Sequence, residues 1–301
     1  MKQHVGVEEA GIGLAWARVW DYAALTKPRI TFFVVLSTAV GFILGTKGSL
    51  DLYLLMHTLL ATLLVAGGSA ALNQFLERDL DARMKRTSQR PLPSGRLQPE
   101  QVYIYGLFLS ASGILYLGFA VNWLVGIVAA ITTIIYLFLY TPLKQKTSHN
   151  TAVGAIAGAL PPVGGWAAAR GEIGLEAWVL FGIMFLWQFP HFFAIAWLYR
   201  EDYMAGGYRM ISAGDVQGKS TSRQIVAFSL ALVPFSSLPF LLGLSGLWYL
   251  ISASVLAVGL LYFSFTFARL KTDWDAKKLM RASLVYLPVL WIVMVLDRLA
   301  A

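Results

Sequence analysis

Apolar residues in this chain gather into long runs, and polar residues collect in short clusters between them. About 20 residues of helix cross the hydrocarbon core of a bilayer. Nine runs approach that length: Ile30–Leu44, Leu52–Phe75, Val102–Val121, Trp123–Thr141, Ala152–Ala169, Leu175–Tyr199, Ile225–Leu244, Trp248–Phe267 and Leu284–Leu299. The first and last are short and draw on flanking residues. The pattern predicts an all-α polytopic membrane protein, with residues 1–22 as a tail and 23–301 as one transmembrane domain. The tail lacks the short apolar core and small-residue cleavage site of a signal peptide. An amphipathic surface helix is expected around Ala10 to Tyr22.

Composition agrees with a bilayer setting. The chain is 57% hydrophobic and 13% charged, with a mean hydropathy of +0.64, beyond the range of soluble domains. A net charge of +8 would suit nucleic acid if the cations were grouped, but their distribution follows topology instead. Of the 24 Lys and Arg, 21 fall in the N-terminal tail and in alternate connections, and only Lys47, Arg170 and Arg298 lie on the other side. The positive-inside rule then places the N-terminus in the cytoplasm and, after nine spans, the C-terminus outside a plasma membrane. No nucleic-acid partner is implied. With no cysteine, disulfides and thiolate chemistry are excluded. His4, His57, His149 and His191 are too far apart to suggest a zinc site.

The second run leads into the densest polar cluster, Asn73 to Arg96. Asn73, Glu77 and Asp81 are four residues apart, so a helix would line them along one face. Their side-chain oxygens suit Mg²⁺, which takes a few carboxylates and completes its shell with substrate phosphate and water. Arg86 and Arg90 repeat the four-residue step and, with Arg83, can grip phosphate oxygens. A loop obeying only topology would also be charged. However, these acids start at the membrane end of a helix, where an ionisable group is expensive without a role. Lys27 and Arg29 flank Pro28 at the first span, and Tyr140, Lys144 and Lys146 end the fourth. They add phosphate donors on the same side, or else serve as interface aromatic and topology charges.

The sixth run holds Trp187, Gln188, Phe189, Pro190 and His191, followed by Glu201 and Asp202. On a continuous helix His191 and Asp202 would share a face. An ionisable side chain within a span marks function by default. Its bland alternative is a histidine satisfied by a neighbouring carbonyl. Taken together, these clusters form an acid-and-base rim on one mouth of an apolar bundle. That suits an amphiphile with an anionic head and a lipid tail, and a reaction in which diphosphate is lost.

The spacing Asn73-x-x-x-Glu77-x-x-x-Asp81 resembles the first aspartate-rich motif of the UbiA superfamily of intramembrane prenyltransferases. The runs Arg86-Thr87…Arg90-Pro91-Leu92, Tyr140-Thr141…Lys144…Thr147…Asn150 and Trp187 to Phe192 are similar to the branch of it that farnesylates haem. The likeness extends over nearly the whole chain from Leu25. It implies nine helices around a central cavity, with Mg²⁺ on Asn73, Glu77 and Asp81 as the cofactor. Farnesyl diphosphate would be held by Lys27, Arg29, Arg83, Arg86, Arg90, Tyr140, Lys144, Lys146 and Asp202. Protohaem IX, held by Gln188 and His191, would be the acceptor, giving haem O for haem A synthase or a terminal oxidase. Two departures stand out: Glu77 replaces the usual Asp, and the second acidic motif is reduced to Glu201 and Asp202. The alternatives are prenylation of a quinone or chlorophyll precursor, and a haem-carrying or transport protein without chemistry. The His191 run speaks against the first. The gathering of acids at one mouth, away from the midplane, speaks against the second.

Overall fold

The computed structural model describes residues 16–300, and among them it is all helical with nine helices long and apolar enough to span a membrane. These are α1 (Pro28–Gly45), α2 (Leu52–Asp81), α3 (Pro99–Ala120), α4 (Trp123–Lys146), α5 (Asn150–Arg170), α6 (Leu175–Leu198), α7 (Lys219–Leu241), α8 (Leu247–Leu270) and α9 (Asp273–Ala300). Residues 16–25 are also helical; the earlier part of the expected surface helix lies outside the described residues.

Local chemistry sets the helix ends. Asp51 caps α2 by accepting the Leu54 N–H at 2.9 Å, and Asn122 caps α4 through Val125 N–H at 3.0 Å. The ninth helix begins at Asp273, eleven residues before the expected Leu284. Thr272 Oγ accepts the Asp275 N–H at 3.1 Å while donating to the Asp275 carboxylate at 2.6 Å, which starts the helix early. Lys277 and Arg281 suggest a loop in the sequence, but they are the exposed face of an amphipathic turn whose Ala276, Leu279 and Ser283 are buried. The sixth helix ends at Leu198, and Tyr199 (φ −112°, ψ 25°) separates it from a short helix, Arg200–Ala205. His191 and Asp202 therefore do not share one continuous helix.

Two close approaches shape the bundle. A Cβ on Gly41 would overlap the Pro162 carbonyl, and one on Gly165 would overlap the Thr38 carbonyl. Glycine thus lets α1 lie directly on α5, as small residues do between membrane helices. The main apolar core lies among α5, α6, α7, α8 and α9 around Trp166, Leu180, Ile183, Phe193, Tyr249 and Trp291. Outside, Phe108, Phe119, Phe138, Val255 and Tyr262 are more than half exposed. An outer surface this apolar requires lipid, and the chain is a multi-pass membrane protein. Helices α1 to α6 and α9 line a central cavity of about 670 Å³; α7 and α8 contribute no described residue to it and brace α6 and α9 from behind.

Candidate active site

The acidic face of α2 forms one side of the cavity mouth. Asn73, Glu77 and Asp81 are each at most 4% exposed and all line the cavity. Each meets one cation from a different segment. Lys27 Nζ donates to Asn73 Oδ1 at 2.8 Å, Lys144 Nζ to Glu77 Oε1 at 2.7 Å, and Arg90 Nη1 to Asp81 Oδ2 at 2.6 Å. Buried charges are tolerated when paired in this way.

Each cation has a local reason for its position. Lys27 adopts φ 48°, ψ 64°, the left-handed region, immediately before Pro28. That conformation costs a non-glycine residue about 1–2 kcal/mol, and here it turns the ammonium toward Asn73. Lys144 follows a π-helical stretch, Ile135–Tyr140. Pro142 has no N–H to continue the α-helical ladder, and the Tyr136 carbonyl accepts both the Thr141 backbone N–H and, at 2.8 Å, the Thr141 hydroxyl. The same hydroxyl accepts from Asn73 Nδ2 at 3.0 Å. With the amide nitrogen so engaged, Oδ1 is the atom left facing the cavity. Arg90 sits in the 82–98 loop, which is fastened by buried Met84, Leu92 and Leu97 and by Thr87 Oγ donating to the Asp81 carbonyl at 2.8 Å.

Arg29, Arg86, Tyr140, Gln188 and His191 also line the cavity. The Arg86 guanidinium lies over Tyr199 and Tyr203, 5.0 and 5.6 Å from the ring centroids. Arg83, Lys146 and Asp202 are not brought to the cavity. Arg83 and Lys146 are exposed. The Asp202 carboxylate instead accepts the backbone N–H groups of Lys85 and Arg86 at 3.3 and 3.2 Å, tying the two mouth loops together.

Several lining residues escaped the sequence reading: Tyr136, Tyr203, Tyr208 and Met84. Tyr208 is 4% exposed, with its ring 5.6 Å from the Lys144 ammonium. Its loop is held by Arg209 N–H on the Lys144 carbonyl at 2.7 Å and by Asn150 Nδ2 on the Arg209 carbonyl at 3.1 Å. Burial, then the nearby Glu77 charge, raises the Tyr208 phenol above its ordinary value, so it remains a hydrogen-bond donor.

Below the mouth the lining turns apolar, with Phe33, Val34, Val65, Val128, Leu160 and Phe192. On the α6 wall, Gln188 Nε2 donates to the Ala155 and Met184 carbonyls at 3.0 and 3.1 Å, leaving Oε1 beside Gly158, where a Cβ would overlap it. His191 Nδ1 is 2.8 Å from Ser283 Oγ. The ring stacks on Trp187, with centroids 5.0 Å apart and planes at 14°.

Among the described residues, no three His, Asp or Glu side chains come together to form a metal site of their own. The α2 face offers instead two carboxylates and one amide oxygen. Oxygen-only donors in that number fit Mg²⁺, which binds through one or two carboxylates plus substrate phosphate.

Residues 34–287 match the UbiA prenyltransferase family. A protoheme IX farnesyltransferase of Solibacter usitatus is 46% identical over 287 residues, covering 92% of this chain and 98% of that protein. A mitochondrial protoheme IX farnesyltransferase of Arabidopsis thaliana is 36% identical over 292 residues, covering 97% of this chain and 67% of that one. The fold is similar to digeranylgeranylglyceryl phosphate synthase (TM-score 0.79, 15% identity, 95% of this chain and 100% of that chain). It is also similar to a UbiA homologue of Archaeoglobus fulgidus bound to GPP and Mg²⁺ (TM-score 0.62, 15% identity, 91% and 99%). Matched by that family over residues 34–287 and 46% identical to a relative that it covers over 98% of its length, the chain belongs to the UbiA prenyltransferase family.

Proposed function

We infer that this protein transfers the farnesyl group of farnesyl diphosphate to a vinyl group of protohaem IX, yielding haem O and diphosphate. The observation behind this reading is the sorting of the cavity. Three oxygen side chains and three facing cations ring the mouth, apolar walls follow, and one histidine stands within them. An amphiphile enters such a cavity head-outward, with its diphosphate among the charges and its tail in the apolar depth.

Asn73, Glu77 and Asp81 would hold Mg²⁺, which when bound neutralises charge developing on the departing diphosphate. Lys27, Arg90 and Lys144 are close enough to those oxygens to exchange them for phosphate oxygens, and Arg29 and Arg86 extend the basic rim. The C1–O bond of the farnesyl group breaks and its electron pair leaves with diphosphate. The haem vinyl group forms the new bond to C1. Water captures the resulting cation and releases a proton, giving the hydroxyethylfarnesyl group. Tyr136, Tyr140 and Phe192 line the cavity and supply aromatic rings that can stabilise an allylic cation, and the apolar walls limit water to the capture step.

We place the basic end of the bundle, which holds the mouth, in the cytoplasm of a plasma-membrane protein. Haem O made there would pass to haem A synthase or a terminal oxidase. The test is mass spectrometry of pigment from purified protein incubated with haem, farnesyl diphosphate and Mg²⁺. A product heavier by one farnesyl and one hydroxyl group is expected. Unaltered haem alongside prenylation of a quinone precursor would refute the reading.

A further inference from the structure

The α6 wall of the cavity holds an imidazole whose proton is placed by another helix. His191 Nδ1 is 2.8 Å from Ser283 Oγ on α9, and that Oγ is 2.7 Å from the Met280 carbonyl one turn earlier. A carbonyl only accepts, so the one serine proton belongs to that bond, and Oγ meets His191 with a lone pair. Both contacts are hydrogen bonds together only when Nδ1 carries the ring proton. Nε2 is then unprotonated, and it has no hydrogen-bond partner among the described residues, although His191 lines the cavity.

Ser283 also fixes the ring's orientation. Its main-chain carbonyl accepts Trp187 Nε1–H at 2.7 Å, and Trp187 stacks on the imidazole with planes at 14°. One buried serine therefore holds His191 at its edge through the hydroxyl and at its face through tryptophan. Metal-binding histidines are held in this way, donating their second N–H to an acceptor that sets the tautomer. Such an Nε2 suits haem iron. It cannot donate to a propionate.

We propose that Ser283 is a positioning residue that holds His191 in the Nδ1–H form, so that Nε2 ligates the iron of the haem acceptor and sets its vinyl edge toward the farnesyl group. This rests on the haem-farnesylating reading above. Ser283→Ala is the informative variant, because it removes the hydroxyl but keeps the carbonyl that holds Trp187. The purified full chain is titrated with ferric haem, followed by absorption and electron paramagnetic resonance, and separately with metal-free protoporphyrin IX, followed by fluorescence.

The wild type is expected to give a nitrogen-ligated iron spectrum, and His191→Ala to lose it. Ser283→Ala should bind ferric haem roughly 10-fold more weakly, with metal-free porphyrin binding unchanged in all three. Wild-type haem affinity and spectrum in Ser283→Ala would overturn the proposal. So would equal weakening for haem and metal-free porphyrin, which would mean that Ser283 serves only packing. A wild type that makes no farnesylated haem would instead overturn the reading on which the proposal rests.

Discussion

Lys27 shows how one residue can be both strained and useful. Its left-handed backbone is unfavourable, yet it aims the ammonium at Asn73 Oδ1. Burial, then the charge of Arg90, pushes that ammonium down to about 7. A lysine with a lowered value is charged below it and neutral above it. Metal-free binding of diphosphate should therefore weaken as pH rises from about 6 to about 8, roughly 10-fold if one charge-assisted hydrogen bond is lost. Lys27→Arg stays charged throughout and should lack that step; calorimetric titration of both proteins across this range checks it. Identical profiles would contradict the assignment. At this scale the sequence was legible only where spacing has meaning. Asn73, Glu77 and Asp81 stand out because four residues make about one turn. Thr141, Ser283 and Tyr208 do not, because each acts across helices or from an irregular loop, and nothing along the chain marks the partner it will meet.

Among the elements, the helices were the most readable part and their ends the least. Runs of apolar residues announce spans, but charged turns conceal where a helix continues. α9 gains eleven residues because Thr272 and Asp275 form a cap that periodicity alone does not reveal. The π-helical stretch of α4 is also hidden, since no pattern along the chain marks that the Thr141 N–H will reach back five residues to the Tyr136 carbonyl. The α1–α5 contact makes a sharper test of how the elements fit. Gly165→Leu would drive a side chain into the Thr38 backbone, and overpacking of that kind costs about 1–3 kcal/mol. Gly259 on α8 has open space around its Cβ position, so Gly259→Ala should stabilise the helix by about 1 kcal/mol. Thermal unfolding in detergent should move down for the first and up for the second. Equal, small shifts would mean that the α1–α5 approach is looser than described.

For the molecule as a whole, the bundle separates two solvents within one cavity. α7 and α8 stay outside as a brace, and the start of α1, α2, α4 and the two mouth loops gather the charges at the mouth. Asp202 joins those loops through the Lys85 and Arg86 amides, a structural use of an acid that the family resemblance implied for substrate. The central claim is that one face of α2 binds a metal-bridged diphosphate. Manganese in place of magnesium, followed by electron paramagnetic resonance during addition of inorganic diphosphate, tests it most directly. The account predicts a bound-manganese signal that sharpens with diphosphate in the wild type and disappears in the Glu77→Gln, Asp81→Asn double variant. An unchanged signal in that variant would contradict it.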